Sequence, residues 1–203
     1  MAFKCVFSSA FNISTMSPLW ELCQLGWLAE VREALERGED VNSKDNFNET
    51  GLMSAVVENH NSIVRLLLEQ PTTDLNCTNL DGYTALHEAA DYDNVEAVKL
   101  LLADPRLTTA NQKDKGGWTP AMLAICSKKV NALRELVAHP SVDLDIMLYG
   151  MSLEEWANCF EITEGARVVA EERERRARRR AGERQQLADG QVRPKYIFLA
   201  GGG

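Results

Sequence analysis

The chain has 203 residues, of which 45% are hydrophobic and 26% are charged, and its formal net charge is −8. This composition predicts a soluble globular protein and excludes wholesale disorder. The acidic balance argues against general nucleic-acid binding, because that affinity depends on Lys and Arg. No apolar run approaches the roughly 18 residues of a membrane span.

Charge is distributed unevenly along the chain. Residues 1–166 carry 12 basic and 25 acidic side chains, whereas residues 167–203 carry 10 basic and 5 acidic ones. Such asymmetry indicates a folded region followed by an appended charged segment. Polar residues interrupt any apolar run in residues 1–15, so we predict a flexible lead-in there and no signal peptide.

Four similar segments follow the lead-in, and each begins with a Ser or Thr hydroxyl. They start at Ser17, Thr50, Thr84 and Thr119, which are 33, 34 and 35 residues apart. Residues 150–157 (GMSLEEWA) form the start of a weaker fifth copy. Self-similarity with this period is typical of a repeat architecture.

The residues within each segment predict a pair of short helices. The initial hydroxyl caps the first helix, and Pro18 and Pro120 occupy a first helical position. Leu and Val recur at helical spacing in residues 63–68, 95–102 and 130–137. One repeat cannot bury this apolar stripe alone, so the repeats must stack.

Several of these elements resemble the ankyrin repeat over roughly residues 17–165. Residues 84–90 (TALHEAA) are similar to the family signature T-P-L-H-x-A-A, and residues 98–102 (VKLLL) match its second helix. His87 is the one histidine of this signature, since Trp20, Met53 and Met122 stand at the same place in the other copies. The resemblance implies an all-α repeat solenoid of stacked helix-turn-helix units with β-turn fingers.

We therefore divide the chain by this pattern. The predicted repeats are residues 16–49, 50–83, 84–118 and 119–149, followed by a cap at residues 150–166 and a charged helix and tail at residues 167–203. Leu153, Trp156, Ala157 and Phe160 are expected to close the apolar end of the stack. A long Arg/Glu-rich helix is expected to start at Thr163, with Val168 and Val169 completing the cap and the remainder solvated.

The sequence contains no convincing catalytic or metal-binding constellation. His87 with Cys126 or Asp91 has the residue types of a nucleophilic triad, but a triad is defined by geometry. The resemblance implies instead that His87 forms local hydrogen bonds and braces adjacent turns. The five cysteines are scattered, which predicts reduced thiols and no zinc site. We therefore predict no enzymatic activity, no cofactor and a cytoplasmic or nuclear location.

The resemblance implies that the protein acts by binding a partner protein at a concave surface of turn tips and first-helix faces. Phe47, Tyr83, Tyr92 and Trp118 form a predicted aromatic ladder, because Tyr and Trp dominate interface hot spots. The alternative is that each ring packs only on its neighbouring turn. Acidic residues around the ladder favour a partner with basic segments. The complete predicted site is Phe47, Glu49, Glu58, Asp81, Tyr83, Asp91, Tyr92, Lys115 and Trp118.

The Arg-rich segment at residues 171–184 supports three interpretations. The favoured one is a solvated helix with i,i+4 pairs Glu171–Arg175, Glu172–Arg176 and Glu174–Arg178, each contributing about 0.2–0.5 kcal/mol. The second is a nuclear-localisation or nucleic-acid-binding patch. The third is docking onto the acidic groove of the same chain. Residues 196–199 (YIFL) form a docking peptide or a simple tail, and we expect a monomer.

Overall fold

The computed structural model describes residues 17–188, with side chains through residue 185. The predicted lead-in at residues 1–15 and the apolar segment at residues 196–199 lie outside the described residues. Helices account for most of the described part, and their order is α1 (Leu19–Leu25), α2 (Leu28–Glu36), α3 (Gly51–Val57), α4 (Asn61–Leu68), α5 (Ala85–Asp91), α6 (Val95–Ala103), α7 (Pro120–Cys126), α8 (Val130–Ala138), α9 (Leu153–Cys159) and α10 (Thr163–Ala188).

The helices form two parallel rows, which confirms the predicted all-α repeat solenoid. The odd-numbered helices pack on one another in an inner row, and the even-numbered helices do the same in an outer row. Each inner helix also packs on the outer helix that follows it. Helix α10 completes the fifth pair, so the fifth copy has both of its helices. One continuous apolar core runs between the two rows from Leu19 to Val169.

Three of the four predicted threonine and serine caps are present. Thr50, Thr84 and Thr119 each accept a hydrogen bond from the backbone N–H three residues later. The prediction for Ser17 is wrong, because α1 begins at Leu19. Pro18 is extended, with ψ of 154°, and therefore lies outside the helix as its N-cap residue. Pro120, by contrast, is the first residue of α7, as predicted.

Between the two helices of each repeat, the chain turns at one residue whose backbone has the left-handed conformation. The equivalent positions have φ between 57° and 77°. The first of them is glycine for a steric reason: a Cβ at Gly26 would lie 2.6 Å from the imidazole of His60. These equivalent positions are Gly26, Asn59, Asp93, Lys128 and Glu161.

Three equivalent turns, at residues 45–49, 79–83 and 114–118, form the fingers, and a fourth turn lies at residues 148–151. Each of the first three is closed by a backbone hydrogen bond between its ends, 2.9–3.0 Å long. Neighbouring fingers are also joined, since the Leu80 N–H donates to the Phe47 carbonyl (2.9 Å) and the Lys115 N–H donates to the Asp81 carbonyl (3.0 Å). The fingers therefore form one continuous row beside the inner helices.

Asparagines align the loops that precede the fingers. The side-chain amides of Asn42, Asn76 and Asn111 each donate to a carbonyl of the next repeat's loop, at 2.7–2.9 Å. Each side-chain oxygen also accepts a backbone N–H from that loop. This repeated contact fixes the spacing of the loops along the stack.

Helix α10 extends from Thr163 as predicted, but its middle part is not solvated. Glu172 is buried, and Arg173 donates to the Leu144 carbonyl (2.7 Å). The Arg176 guanidinium donates to three carbonyls at the end of α8 and the loop after it, those of Val137, His139 and Val142 at 2.6–2.7 Å. The expectation of a solvated helix beyond Val169 is therefore wrong for this stretch, because one face of α10 continues the outer row.

The ion pairs of α10 agree in part with the predicted pattern. Glu172–Arg176 (3.3 Å) and Glu174–Arg178 (2.6 Å) are present. Glu171 instead pairs with Arg167 (3.5 Å), because Arg175 pairs with Glu172 at 3.0 Å. The position of α10 in the outer row also contradicts docking of this helix onto the inner face of its own chain.

Candidate functional site

The fingers and the inner helices together form the inner face, which is the concave surface of such a solenoid. Glu49, Tyr83 and Trp118 occupy equivalent positions in three repeats, each immediately before the threonine cap of an inner helix. Each lies at the end of a finger whose backbone bond it closes. The predicted site residues therefore share one face, and they lie at the finger tips, finger ends and last turns of the inner helices.

Glu88 lies on this face in the third repeat. It sits one turn into α5 and is only 5% exposed. The Asn79 side-chain amide donates to Glu88 (3.2 Å) and also to Glu49 (3.3 Å), which holds the two carboxyl groups together. Burial first, and then the negative charges of Glu49, Asp91 and Asp81, raise the Glu88 pKa from 4.5 to about 8. At neutral pH the Glu88 carboxyl is therefore mainly protonated.

We name the carboxyl groups around this point the acidic cluster. In the described part of the chain, ion pairs join many acidic side chains to Lys or Arg, but none of them involves a member of this cluster. The acidic cluster therefore presents carboxyl groups that no Lys or Arg of residues 17–185 contacts in an ion pair. Its members are Glu49, Glu58, Asp81, Glu88 and Asp91.

Two tyrosines border the acidic cluster in different ways. Tyr83 stacks on the buried His87 ring, with centroids 5.4 Å apart, and burial together with nearby carboxylates raises its pKa to about 12. Tyr92 follows α5 directly and is 54% exposed. Burial raises the Tyr92 pKa, and the charges of the acidic cluster, Glu88 first, raise it further. The Tyr92 ring is therefore accessible beside the carboxyl groups of the acidic cluster, whereas the Tyr83 ring packs against the buried His87.

The next part of the inner face is aromatic. Trp118 lies 5.0 Å from Trp156, Trp156 lies 5.8 Å from Phe160, and Tyr149 lies 6.5 Å from Trp156, measured between ring centroids. Tyr149 is 77% exposed, and Trp156 donates its indole N–H to the Leu148 carbonyl (3.2 Å). We name these four rings the aromatic cluster.

Three members of the aromatic cluster were not predicted to bind a partner. The sequence pattern predicts a capping role for Trp156 and Phe160 and does not single out Tyr149. Counted from the start of each repeat, Trp156 and Phe160 occupy the positions of Glu88 and Tyr92. Extending the repeat alignment through the fifth copy would have found both.

The four rings of the predicted ladder have different surroundings. No ring contact within residues 17–188 joins two of them. Tyr83 packs on the His87 ring of α5, and Trp118 packs on the Trp156 ring of α9. Phe47 and Tyr92 stand exposed on the surface. Leu80, beside Phe47 in the finger row, is also exposed and was not in the predicted site.

The remaining predicted site residues lie at the edges of the inner face. Asp81 and Lys115 are exposed at neighbouring finger tips, and Glu58 is exposed directly after α3. Asp91, at the end of α5, accepts a hydrogen bond from the Ser127 hydroxyl of the next repeat. Three of these four groups therefore form the accessible part of the acidic cluster, and Lys115 lies next to Asp81 in the finger row.

His87 is held in a structural role. It is fully buried, its Nδ1 lies 2.9 Å from the Thr84 hydroxyl, and its Nε2 lies 3.1 Å from the Trp118 carbonyl. Burial lowers the His87 pKa, and burial raises the pKa of the Cys126 thiol. Both ring nitrogens are therefore occupied by neighbours other than Cys126 and Asp91. The Nδ1 contact lies within one helix start, and the Nε2 contact joins α5 to the next finger.

Two further observations on the described residues concern metal binding and membrane crossing. Across residues 17–188, no three His, Cys, Asp or Glu side chains are grouped so that they would hold a metal ion. Over the same range, no helix combines the length and apolar character needed to cross a membrane.

The stacked helix pairs, the finger row and the inner face define the class of protein as a helical repeat solenoid. The family model described as ankyrin repeats in three copies matches residues 5–79 and 69–147. The chain belongs to the ankyrin-repeat family. Repeats of this family generally mediate protein–protein interaction.

Known proteins are similar to this chain over its repeats. BTB/POZ domain-containing protein 1 of Schizosaccharomyces pombe is 38% identical over 115 residues, 54% of this chain and 8% of that protein. BCL-6 corepressor-like protein 1 of Homo sapiens is 37% identical over 95 residues, 45% of this chain and 5% of that protein. Ankyrin repeat-containing protein C6C3.08 of S. pombe is 32% identical over 89 residues, 43% of this chain and 38% of that protein. The chain thus matches only a part of each relative.

Proposed function

We propose that this protein is a non-enzymatic interaction module or adaptor that binds a partner protein through its inner face. The observation that carries the proposal is the acidic cluster, whose members have no ion-pair partner among the described residues. Unpaired charge on a surface with exposed Tyr92 and Phe47 favours a partner with basic residues, which it attracts and orients. The ankyrin fold itself leaves the partner open, because repeat surfaces serve many partners.

A charge-reversal experiment tests this function. Glu58 and Asp81 are exposed and make no ion pair among the described residues, so we expect Glu58→Lys with Asp81→Lys to leave the stack folded. The matched control is Glu33→Lys with Glu36→Lys, which makes the same charge change on the exposed side of α2 in the outer row. The three proteins are compared by affinity capture from a lysate with quantitative mass spectrometry, after circular dichroism has established equal helicity.

We expect a set of captured proteins that the control retains and the inner-face variant loses. Identical capture by all three proteins, or equal loss in both variants, would contradict binding through the inner face. In those cases the partner contacts another part of the chain, or net charge alone decides capture.

A second candidate is a nuclear or nucleic-acid-associated role for α10. Its supporting observation is that Arg179, Arg180 and Arg184 are exposed where the helix continues past the last repeat, and none of them makes an ion pair within residues 17–185. A truncation near residue 166 is a poor test, because it removes the docked Arg176. The better variant is Arg179→Gln with Arg180→Gln.

The measurement is fluorescence anisotropy with labelled duplex DNA and single-stranded RNA over a salt series. Nucleic-acid binding through α10 predicts affinity that falls steeply with salt and is lost in the double variant. Absence of binding by the unaltered protein at low salt would discard the nucleic-acid role. Imaging of a fluorescent fusion of each protein then tests the proposed cytoplasmic or nuclear location and any import signal in these arginines.

A further inference from the structure

The inner face has two chemically different halves. The acidic cluster with Tyr92 lies on the first three repeats, between Glu49 and Tyr92, whereas the aromatic cluster lies on the following part of the stack, between Trp118 and Phe160. The two halves occupy equivalent places in their repeats: Glu88 corresponds to Trp156, and Tyr92 corresponds to Phe160. Because equivalent positions of a stack face the same side, one bound segment lying along the inner face would meet both halves.

No Lys or Arg among residues 17–185 makes an ion pair with the acidic half, and this defines what it would bind. Glu88 is almost fully buried, with the Asn79 amide as its one hydrogen-bond donor among the described residues. Glu49, Asp81 and Asp91 act on it electrostatically, and Tyr92 lies beside them. A Lys or Arg side chain laid on Tyr92 would face these carboxyl groups and the tyrosine ring, both of which attract a cation.

The aromatic half is suited to apolar side chains. Tyr149 stands 77% exposed next to Trp156, while Trp118 and Phe160 are partly buried around the same ring. Large rings that are held by their neighbours yet remain open on one side are typical anchors of an interface. An aliphatic or aromatic side chain that covers the exposed face of this cluster would remove apolar ring surface from water.

The distance between the halves sets the spacing of the ligand. Glu88 and Trp156 are two repeats apart, and packed helices are about 8–10 Å apart, so the halves are separated by roughly 16–20 Å. An extended chain advances about 3.3 Å per residue, so about five or six residues span that distance.

We propose that the inner face binds an extended peptide segment of a partner protein, with a Lys or Arg side chain in the acidic cluster and a large apolar side chain on the aromatic cluster about five or six residues away. This inference rests on the proposed function and specifies the chemistry of the partner.

The test is a selection from a phage-displayed library of random twelve-residue peptides on the immobilised full chain. Selected peptides are then synthesised with a fluorescent label, and their affinities are measured by anisotropy. The variants are Glu88→Gln for the acidic half, Tyr149→Ala for the aromatic half and Glu33→Gln as the matched control on α2. Glu88→Gln keeps the shape and a hydrogen-bond acceptor for Asn79, and Tyr149 is too exposed to be needed for folding.

We expect the selected peptides to share a basic and a large apolar residue at the stated spacing. At pH 8, Glu88→Gln is expected to weaken binding about tenfold, the effect of one charged contact, and Tyr149→Ala by a similar factor. Replacing the basic residue of the peptide by Ala should abolish the effect of Glu88→Gln but keep that of Tyr149→Ala. Glu33→Gln should leave the affinity unchanged.

Other outcomes separate this inference from the proposed function. Peptides that bind without a basic residue, or whose affinity neither variant changes, overturn the two-part site. A selection without any shared pattern, together with loss of captured proteins in the Glu58→Lys with Asp81→Lys variant, also overturns it, because the partner then binds through a folded surface. In that case the proposed function stands.

Discussion

Glu88 shows how one residue couples the fold to its surface chemistry. It lies on a helix that is packed on both sides by other inner helices, and Asn79 fixes it beside Glu49. The cost of burying charge keeps a proton on the Glu88 carboxyl up to a pH of about 8. A cation that binds nearby favours the ionised form and displaces this proton.

The raised Glu88 pKa predicts a change of stability with pH. The folded state holds the proton up to pH about 8, whereas the unfolded chain releases it near the ordinary value of 4.5. Stability contributed by this proton is therefore present below pH 4.5 and is lost as the pH rises toward 8. The loss lowers the free energy of unfolding by at most about 1.4 kcal/mol per pH unit. Thermal unfolding of Glu88→Gln should not show this decrease. Its melting temperature should exceed that of the unaltered protein at pH 8.5. A constant difference between the two proteins from pH 5 to 8.5 would contradict the raised pKa.

The same proton makes partner binding depend on pH. If a cation occupies the acidic cluster, the Glu88 pKa is lower in the complex than in the free protein. Affinity then rises with pH until the free protein loses the proton near pH 8, and is level above that. Isothermal titration of a selected peptide in buffers of different ionisation enthalpy measures the proton release. An affinity that is flat from pH 6 to 8 would show that Glu88 does not sense the ligand.

Trp118 and Tyr92 are expected to differ when each is replaced by Ala. Trp118 packs on Trp156 and on the core, and so Trp118→Ala should destabilise the stack by roughly 3 kcal/mol. Tyr92 is exposed, so Tyr92→Ala should unfold at nearly the same urea concentration as the unaltered protein while losing affinity for the partner. Equal stability of the two variants would mean that the tryptophan contact contributes little.

At the scale of the secondary-structure elements, α10 is the helix whose role the structure changes most. The other outer helices have eight or nine residues, but α10 has 26. Its first part completes the fifth repeat, with Gly165, Val168, Val169 and Glu172 on the face that meets its neighbours. Arg176, on the same face, then closes the end of α8 by binding backbone carbonyls that no helical N–H can reach.

Arg176 is therefore predicted to stabilise the end of the stack. Arg176→Gln removes the charged donor from three carbonyls and should lower the free energy of unfolding by about 1–3 kcal/mol. Arg178→Gln is the matched control, because Arg178 makes one exposed pair with Glu174 and should contribute about 0.2–0.5 kcal/mol. Urea unfolding followed by circular dichroism measures both. Equal effects of the two substitutions would contradict the capping role.

At the scale of the whole molecule, the stack is a row of repeats in which each contacts only its neighbours. Such a protein depends on its terminal repeats to cover the apolar faces of the internal ones. The fifth pair, α9 and α10, covers the open end of α7 and α8. Charged groups are separated along the stack. The acidic cluster lies in the middle of the row of repeats, and the exposed arginines of α10 lie beyond its end.

The terminal pair leads to a prediction about truncation. A chain that ends at residue 166 loses Val168, Val169, Glu172 and Arg176, exposes part of α8, and should unfold at a lower temperature. A chain that ends at residue 181 keeps Val168, Val169, Glu172 and Arg176 and should unfold at nearly the temperature of the full chain. Calorimetry of both truncations measures the difference. Equal melting temperatures would show that α10 is dispensable for the stack.

The amino-acid sequence by itself determined the repeat architecture. The Thr50, Thr84 and Thr119 caps and the helices after them depend on contacts within a few residues, so their pattern is visible along the chain. The same holds for the start of α10. Ser17 is the exception, because the extended Pro18 delays the first helix by one residue.

Only the tertiary structure decided which side chains act together. Glu88 is buried beside Glu49, 39 residues away in the sequence, and Trp118 meets Trp156 of the terminal pair. Two arginines of the Arg-rich run, Arg173 and Arg176, donate to backbone carbonyls of the preceding repeat, while Arg175 and Arg178 face solvent. Burial, pKa shifts and ring contacts depend on packing between repeats, and the local pattern of residues does not specify that packing.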